Sequence, residues 1–264
     1  MPKVNYLIAA AAHREYRPQS EFRVKGADIL RLHLEQLALT DTSKLAQITL
    51  IRIWPDINNI QLSNYWSIDE QVEKLKCPFV ILDVPNECIS YGAYIRAVQK
   101  YQNNFDYYVI MEDDYYPVLP DFVDILLNLH NKFFLKGGYL NSLTAREWAA
   151  ISNGIIDSQT FLNAINKVKD PISFVAKAPQ INFSYLFAPN LADYLDYYRS
   201  LFMRFEGQIL WEEYRELLGH TQDLINPIEY LIQKDLDFPK NRWDKTIWSD
   251  KIMNDINQIL EKEK

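Results

Sequence analysis

The chain has 264 residues, 48% of them apolar and 24% charged, and a formal net charge of −7. That length accommodates one sizeable core, the balance is that of an ordinary globular protein, and no dense basic run offers a footprint for a nucleic-acid backbone or an anionic membrane. No apolar stretch approaches the roughly 20 residues needed to cross a bilayer, so the expected partners are small molecules or neutral polymers.

Aromatic residues make up 14% of the chain, with 17 tyrosines. Such side chains join an apolar body to a polar tip and suit both packing and stacking on sugars or bases. Cys77 and Cys88 are too few and too far apart for a zinc cluster and read as reduced structural thiols. A reducing, cytoplasmic location is expected.

Val4 to Ala11 is a short apolar run that reads as a strand buried on both faces rather than as a signal peptide. After the polar stretch HREYRPQSEFRVKG, apolar residues Leu30, Leu34, Leu37 and Ala38 recur at helical spacing between Ala27 and Thr40. His33 shares their face and reads as a hydrogen-bonded core residue. AQITLIRIWP reads as a second strand stopped by Pro55, Ser67 to Lys76 as a short helix, and Pro78 to Pro85 as a third buried strand. Tyr91, Tyr94, Ile95, Val98 and Tyr101 mark one face of a helix, and Asp106 to Met111 forms a fourth strand. Further on, Phe122, Ile125, Leu126, Leu129 and Phe133 define a helix opened by Pro120 and Asp121. Strands and turns are expected around Asn153 and Gly154, a helix from Phe161 to Val168, a strand from Ile181 to Pro189, and mostly helix beyond, the last with Ile252, Ile256 and Leu260 on one face.

Strand and helix alternate over the first 111 residues, which predicts an α/β fold with a doubly wound, mostly parallel central sheet. Ligands of such sheets lie beyond the carboxyl ends of the strands. There the sequence YYVIMEDDYYP places Glu112, Asp113 and Asp114 in a row. Two carboxylates 4 to 6 Å apart repel by roughly 3 to 4 kcal/mol at an effective dielectric near 20. Protonation, solvent, or a divalent cation that prefers hard oxygen ligands would each relieve that repulsion.

The segment YVIMEDDYYPVLPDF resembles the acidic D-x-D-type motif of nucleotide-sugar-dependent glycosyltransferases of the GT-A fold, similar to family 2. The resemblance implies that Glu112 lies on the ribose and donor side and that Asp114 holds Mn2+ or Mg2+ against the donor diphosphate, with Asp113 assisting and Glu112 a second candidate ligand. Glu112 stands where the commonest pattern has Asp. By the same resemblance Ala9, Ala10, His13 and Arg14 border the nucleotide, Trp54 and Asp56 lie near the base, and Gly92 and Arg96 lie near the donor. Downstream, MRFEGQILWEEYRELLGH is similar to the family's second acidic segment, which opens a helix. It makes Glu213 or Glu212 the candidate base, with Asp157 as another candidate and His220 as a late metal ligand. A surface helix with solvated charges is the plain alternative for Glu212 and Glu213.

The implied organisation is a single GT-A-like domain over 1–264: a nucleotide-sugar-binding half to about 115, an acceptor-side half over 116–220, and a helical extension over 221–264. The implied reaction moves a sugar from a nucleoside diphosphate to a hydroxyl of a glycan or other acceptor. A base would deprotonate that hydroxyl and invert the anomeric centre; without one the enzyme would be retaining. A non-catalytic carbohydrate-binding or structural protein on the same fold is the alternative of another class. A sugar nucleotidyltransferase would call for a Gly-rich basic loop after the first strand, and AAAAHREYR has no glycine.

Overall fold

The structure is a computed structural model that describes residues 1–11, 15–16, 24–55, 67–113, 115–117, 119–133, 139–143, 149–177, 179–187, 209–210 and 218–220. In chain order its elements are β1 (Val4–Ala10), β2 (Glu15–Tyr16), β3 (Val24–Lys25), α1 (Gly26–Ala38), β4 (Gln47–Trp54), α2 (Asp69–Val72), β5 (Phe79–Pro85), α3 (Ile89–Tyr101), β6 (Tyr107–Glu112) and β7 (Tyr115–Pro117). They continue with α4 (Phe122–Phe133), β8 (Tyr139–Leu143), β9 (Ala149–Asp157), α5 (Ser158–Asn166), α6 (Pro171–Ala176), α7 (Pro179–Phe187), β10 (Ile209–Leu210) and β11 (Leu218–His220).

Seven strands form one sheet in the order β10-β8-β9-β6-β1-β4-β5. β1 pairs in parallel with β4 and β6, β4 with β5, and β10 with β8, while β9 runs antiparallel to both of its neighbours. The fold is therefore α/β with a mostly parallel mixed central sheet. β1 is apolar almost throughout because all seven of its residues are buried, and a strand covered on both faces has no reason to alternate.

The crossovers decide which helix lies where. From β1 the chain passes through α1 to β4 on one side, and from β5 it returns through α3 to β6 on the other. Right-handed crossovers in opposite directions put their helices on opposite faces. One face buries Tyr6, Ile8, Leu50 and Met111 against Leu30, Leu34 and Leu37 of α1 and Phe122 and Leu126 of α4. The other buries Leu7, Ile51, Tyr108 and Ile110 against Tyr94, Ile95 and Val98 of α3, Phe161 of α5, and Phe183 and Leu186 of α7. Each such Leu, Ile or Phe contributes roughly 1.5 to 3 kcal/mol on burial.

One expectation is corrected. The strand expected from Ile181 to Pro189 is replaced, over its described residues, by helix α7, Pro179–Phe187; positions 188 and 189 lie outside the described residues. Apolar residues at every second position of INFSYLF suggest a strand, but the buried pair Phe183 and Leu186 lies three residues apart, one helical turn, and Pro179 suits the first helical position. The Asn182 amide also donates to the Phe174 carbonyl at 2.6 Å, fastening α7 to the end of α6. Beyond α7 the described residues are the strands β10 and β11, and the rest of the stretch expected to be mostly helical lies outside the described residues. β11 pairs antiparallel with β7, with Leu218 opposite Pro117, Gly219 opposite Tyr116 and His220 opposite Tyr115. The stretch over 252–260 lies outside the described residues. Among the described residues no helix is long and apolar enough to cross a membrane.

Candidate functional site

Strand order locates the site before any side chain does. β4 and β5 lie to one side of β1, and β6 lies to the other, so the connections leaving β1 and entering β6 diverge. In an open α/β sheet this reversal opens a crevice outside the carboxyl ends of the two strands, where ligands bind. Ala9 is the register partner of Glu112 across that reversal. The acidic residues therefore stand at the mouth of the crevice.

Three hydrogen bonds from three elements fasten this acidic turn. The Asp113 backbone N–H donates to the Ala9 carbonyl at 3.1 Å. The Asp113 carbonyl accepts from His33 Nδ1 of α1 at 3.1 Å. Ser90 Oγ, in the first turn of α3, donates to Glu112 Oε1 at 2.8 Å. The N-terminus of α3 carries partial positive charge, so the Glu112 carboxylate sits where a helix dipole favours it. Glu112 is half-buried and Asp113 is only 4% exposed.

The entrance to α3 is strained. Ile89, a β-branched and half-exposed residue, has φ 55°, in the left-handed region that such side chains avoid. Its N–H is held by Asn86 Oδ1 at 3.3 Å. A cost of order 1 to 3 kcal/mol is sustained next to the serine that orients Glu112, and strain of this kind gathers at functional sites.

The remaining expected donor residues are distributed unevenly. Ala9 and Ala10 end β1 and are buried. Trp54 ends β4 and is 5% exposed. Its indole N–H donates to Asp83 Oδ1 at 2.6 Å, and Asp83 also takes two hydrogen bonds from Arg52, at 2.7 and 2.8 Å. Burial pushes the Asp83 carboxyl up, but the hydrogen bonds from Arg52 and Trp54 and the Arg52 charge outweigh it and hold the group below its ordinary value. Trp54 is thus locked edge-on into a side-chain network, with the Arg52 guanidinium 5.5 Å above its ring.

Gly92 and Arg96 lie on α3 and serve local purposes. A Cβ at Gly92 would stand 2.6 Å from Cys88 Sγ, so glycine here permits the close approach of the helix to its own cap residue. Arg96 makes a bidentate pair with Glu87 and is half-exposed. Both cysteines are free, and burial pushes each thiol up to about 11, which fits the expectation of inert structural thiols.

Asp157 is not brought to the acidic edge. It pairs with Tyr107 at the start of β6, five residues below Glu112, or roughly 16 Å along the strand. There its carboxylate caps α5 by accepting from the Thr160 N–H at 2.9 Å and lies 3.9 Å from His130. His220 is brought close at the level of the backbone: it faces Tyr115, the residue after Asp114. His13, Arg14, Asp56, Asp114, Glu212 and Glu213 lie outside the described residues.

The oxygen donors at this edge suit a hard divalent cation. Glu112 and Asp113 supply two carboxylates, and among the described residues no group of three or more His, Cys, Asp or Glu is placed to hold a metal ion. Ser90 and Asp83 are site-edge residues that the sequence reading did not single out. A serine just after a buried parallel strand, where a helix begins, is the signal that would have found the first. Nothing local marks the second, whose partner is 31 residues away.

No protein-family model matches the chain, and no curated protein matches it. Among solved structures the chain is similar to a cytidylyltransferase from Leptospira borgpetersenii, at 15% identity over 100% of this chain and 95% of that one, with a TM-score of 0.47. It is also similar to 4-diphosphocytidyl-2C-methyl-D-erythritol synthase from Anaerococcus prevotii, at 10% identity over 79% and 86% of the two chains, with a TM-score of 0.42. A third likeness is to HddC from Yersinia pseudotuberculosis, at 13% identity over 60% and 74%, with a TM-score of 0.36. These likenesses are too distant to carry a function, and the reading of the site rests on its own geometry.

Proposed function

We propose that the chain is a GT-A-type glycosyltransferase that binds a nucleoside-diphosphate sugar in the crevice between β1 and β6 and passes the sugar to a hydroxyl of a glycan or other acceptor. The observation that carries this reading is the acidic turn at the carboxyl edge of the sheet's reversal point, fastened by Ala9, His33 and Ser90. A fixed array of carboxylates in a ligand crevice is suited to a ligand that brings a cation with it.

Mn2+ or Mg2+ bound there would offset the negative charge that grows on the diphosphate as the glycosidic bond breaks. Asp114 and Glu112 are the proposed ligands, Asp113 assists, and His220 is a further candidate because β11 runs beside β7. Glu213, or Glu212 beside it, is the proposed base. The sequence places the pair five or six residues before β11, whose pairing with β7 supports bringing that segment toward the crevice. The base would take the acceptor proton while the Glu112 side of the crevice holds the donor, and attack from opposite sides inverts the anomeric centre. Asp157 has no part in this scheme, being occupied at the far edge.

The test is transfer from a panel of nucleoside-diphosphate sugars with manganese present. Asp114→Ala should abolish metal-dependent donor hydrolysis or transfer with the circular dichroism spectrum unchanged; unchanged activity would sink the metal assignment. Glu213→Gln or Glu212→Gln should cut turnover more than donor affinity. Release of pyrophosphate from a nucleoside triphosphate and a sugar phosphate, without any sugar transfer, would make the chain a nucleotidyltransferase instead.

A further inference from the structure

We infer that His33, which no sequence motif assigns to the site, is a positioning residue for the acidic turn: it acts through the backbone of Asp113 rather than on a ligand. The inference rests on the proposed reading of that turn as a cation and diphosphate site. His33 is fully buried in α1, 80 residues before Asp113 in sequence. Its Nδ1 contacts the Asp113 carbonyl at 3.1 Å and its Nε2 contacts the Tyr6 hydroxyl at 3.0 Å. A carbonyl oxygen only accepts, so Nδ1 carries the proton, and in the neutral ring Nε2 then accepts from the Tyr6 hydroxyl. Tyr6 is in turn fixed by edge-to-face packing on His33 and on Phe122, with centroids 5.8 and 5.7 Å apart.

The consequence is a residue whose two flanking peptide groups are both held. The N–H of Asp113 is bound by β1 through Ala9, and its carbonyl is bound by α1 through His33. That carbonyl belongs to the peptide bond leading into Asp114, so its direction sets where the next carboxylate leaves the backbone. Groups that orient first ligands are worth 10- to 100-fold in metal affinity when removed.

Two isosteric replacements separate this role from simple packing. In His33→Asn the amide nitrogen can stand where Nδ1 stood and keep the bond to Asp113, at the expense of the bond to Tyr6. In His33→Gln the amide instead reaches the Nε2 position and keeps Tyr6 while releasing Asp113. Gln fills the space better than Asn, so a merely structural role would make His33→Asn the worse variant. Two readouts on the full chain decide it: hydrogen exchange of the Asp113 amide without metal, and the affinity for manganese alone measured by electron paramagnetic resonance.

His33→Gln should speed exchange at Asp113 and weaken manganese binding, each about tenfold. His33→Asn should stay within about threefold of wild type on both readouts despite an equal or lower Tm. Tyr6→Phe, which removes the hydroxyl at Nε2 and leaves the bond from Nδ1 to Asp113, should do the same. Equal losses in His33→Asn and His33→Gln, or the reverse order, would overturn the inference. If wild type binds no manganese, the proposed function fails while the exchange readout still decides whether His33 holds the turn.

Discussion

At the scale of single residues, the side chains that matter most are those that hold other residues still. Ser90 touches Glu112 through one oxygen, and a hydrogen bond to a charged group contributes roughly 1.5 to 3 kcal/mol. Ser90→Ala should therefore weaken manganese-dependent binding of a nucleoside diphosphate by about tenfold, measured by calorimetry. An affinity equal to wild type would show that Glu112 needs no orienting. Asp83 makes a prediction about pH. Its carboxyl is held below the ordinary value in the folded chain, so it stabilises the fold above the unfolded value, near 4, and that stabilisation fades as pH falls through the folded value. Asp83→Asn should cost about 2 kcal/mol at neutral pH, because the buried Arg52 loses the carboxylate charge beside it and one of the two oxygens that accept from it, the Asn NH2 being a donor only. The gap from wild type in urea denaturation should narrow below pH 4; a gap independent of pH would contradict the pairing.

At the scale of elements, α3 is the part most closely shaped around the site. It begins with a strained Ile89, continues through Ser90 to Glu112, and is drawn against its own cap at Gly92. Gly92→Ala should destabilise the chain by about 1 to 3 kcal/mol through the clash with Cys88 Sγ. Combining it with Cys88→Ala should recover most of that loss in a double-mutant cycle, whereas additive losses would mean the glycine serves another purpose. The elements also show what a sequence can and cannot disclose. β1, β4 and β6 were legible because strands buried on both faces are continuous apolar runs. α7 was not, because a short apolar segment fits both a period of two and a period of 3.6. β10 and β11, of two and three residues, have no pattern long enough to read, and only their pairing defines them.

At the scale of the whole molecule, alternation of strand and helix was enough to expect a doubly wound sheet and an acidic ligand edge. It was not enough to give the strand order. That order puts β6 beside β1, makes Ala9 the partner of Glu112, and creates the reversal at which the acidic residues stand. The ties from His33 and Ser90 were invisible for the same reason, since their partners are 80 and 22 residues away and only the fold unites them. His33 was expected to be a partly buried, hydrogen-bonded core residue; it is fully buried, and its partner gives it a different meaning. The antiparallel β9 also explains why Asp157, a candidate in the sequence, does not stand beside Glu112: reversal of that strand carries it to the opposite edge.

The central claim is that the crevice between β1 and β6 takes a nucleoside diphosphate together with a divalent cation. Isothermal titration of the full chain with nucleoside diphosphates of differing base, with manganese and again with EDTA, tests it most directly. The account predicts that at least one diphosphate binds with manganese, that EDTA abolishes or greatly weakens the binding, and that Glu112→Ala reduces it by at least about tenfold. Binding that is absent for every base, or unaffected by EDTA and by loss of Glu112, would contradict it.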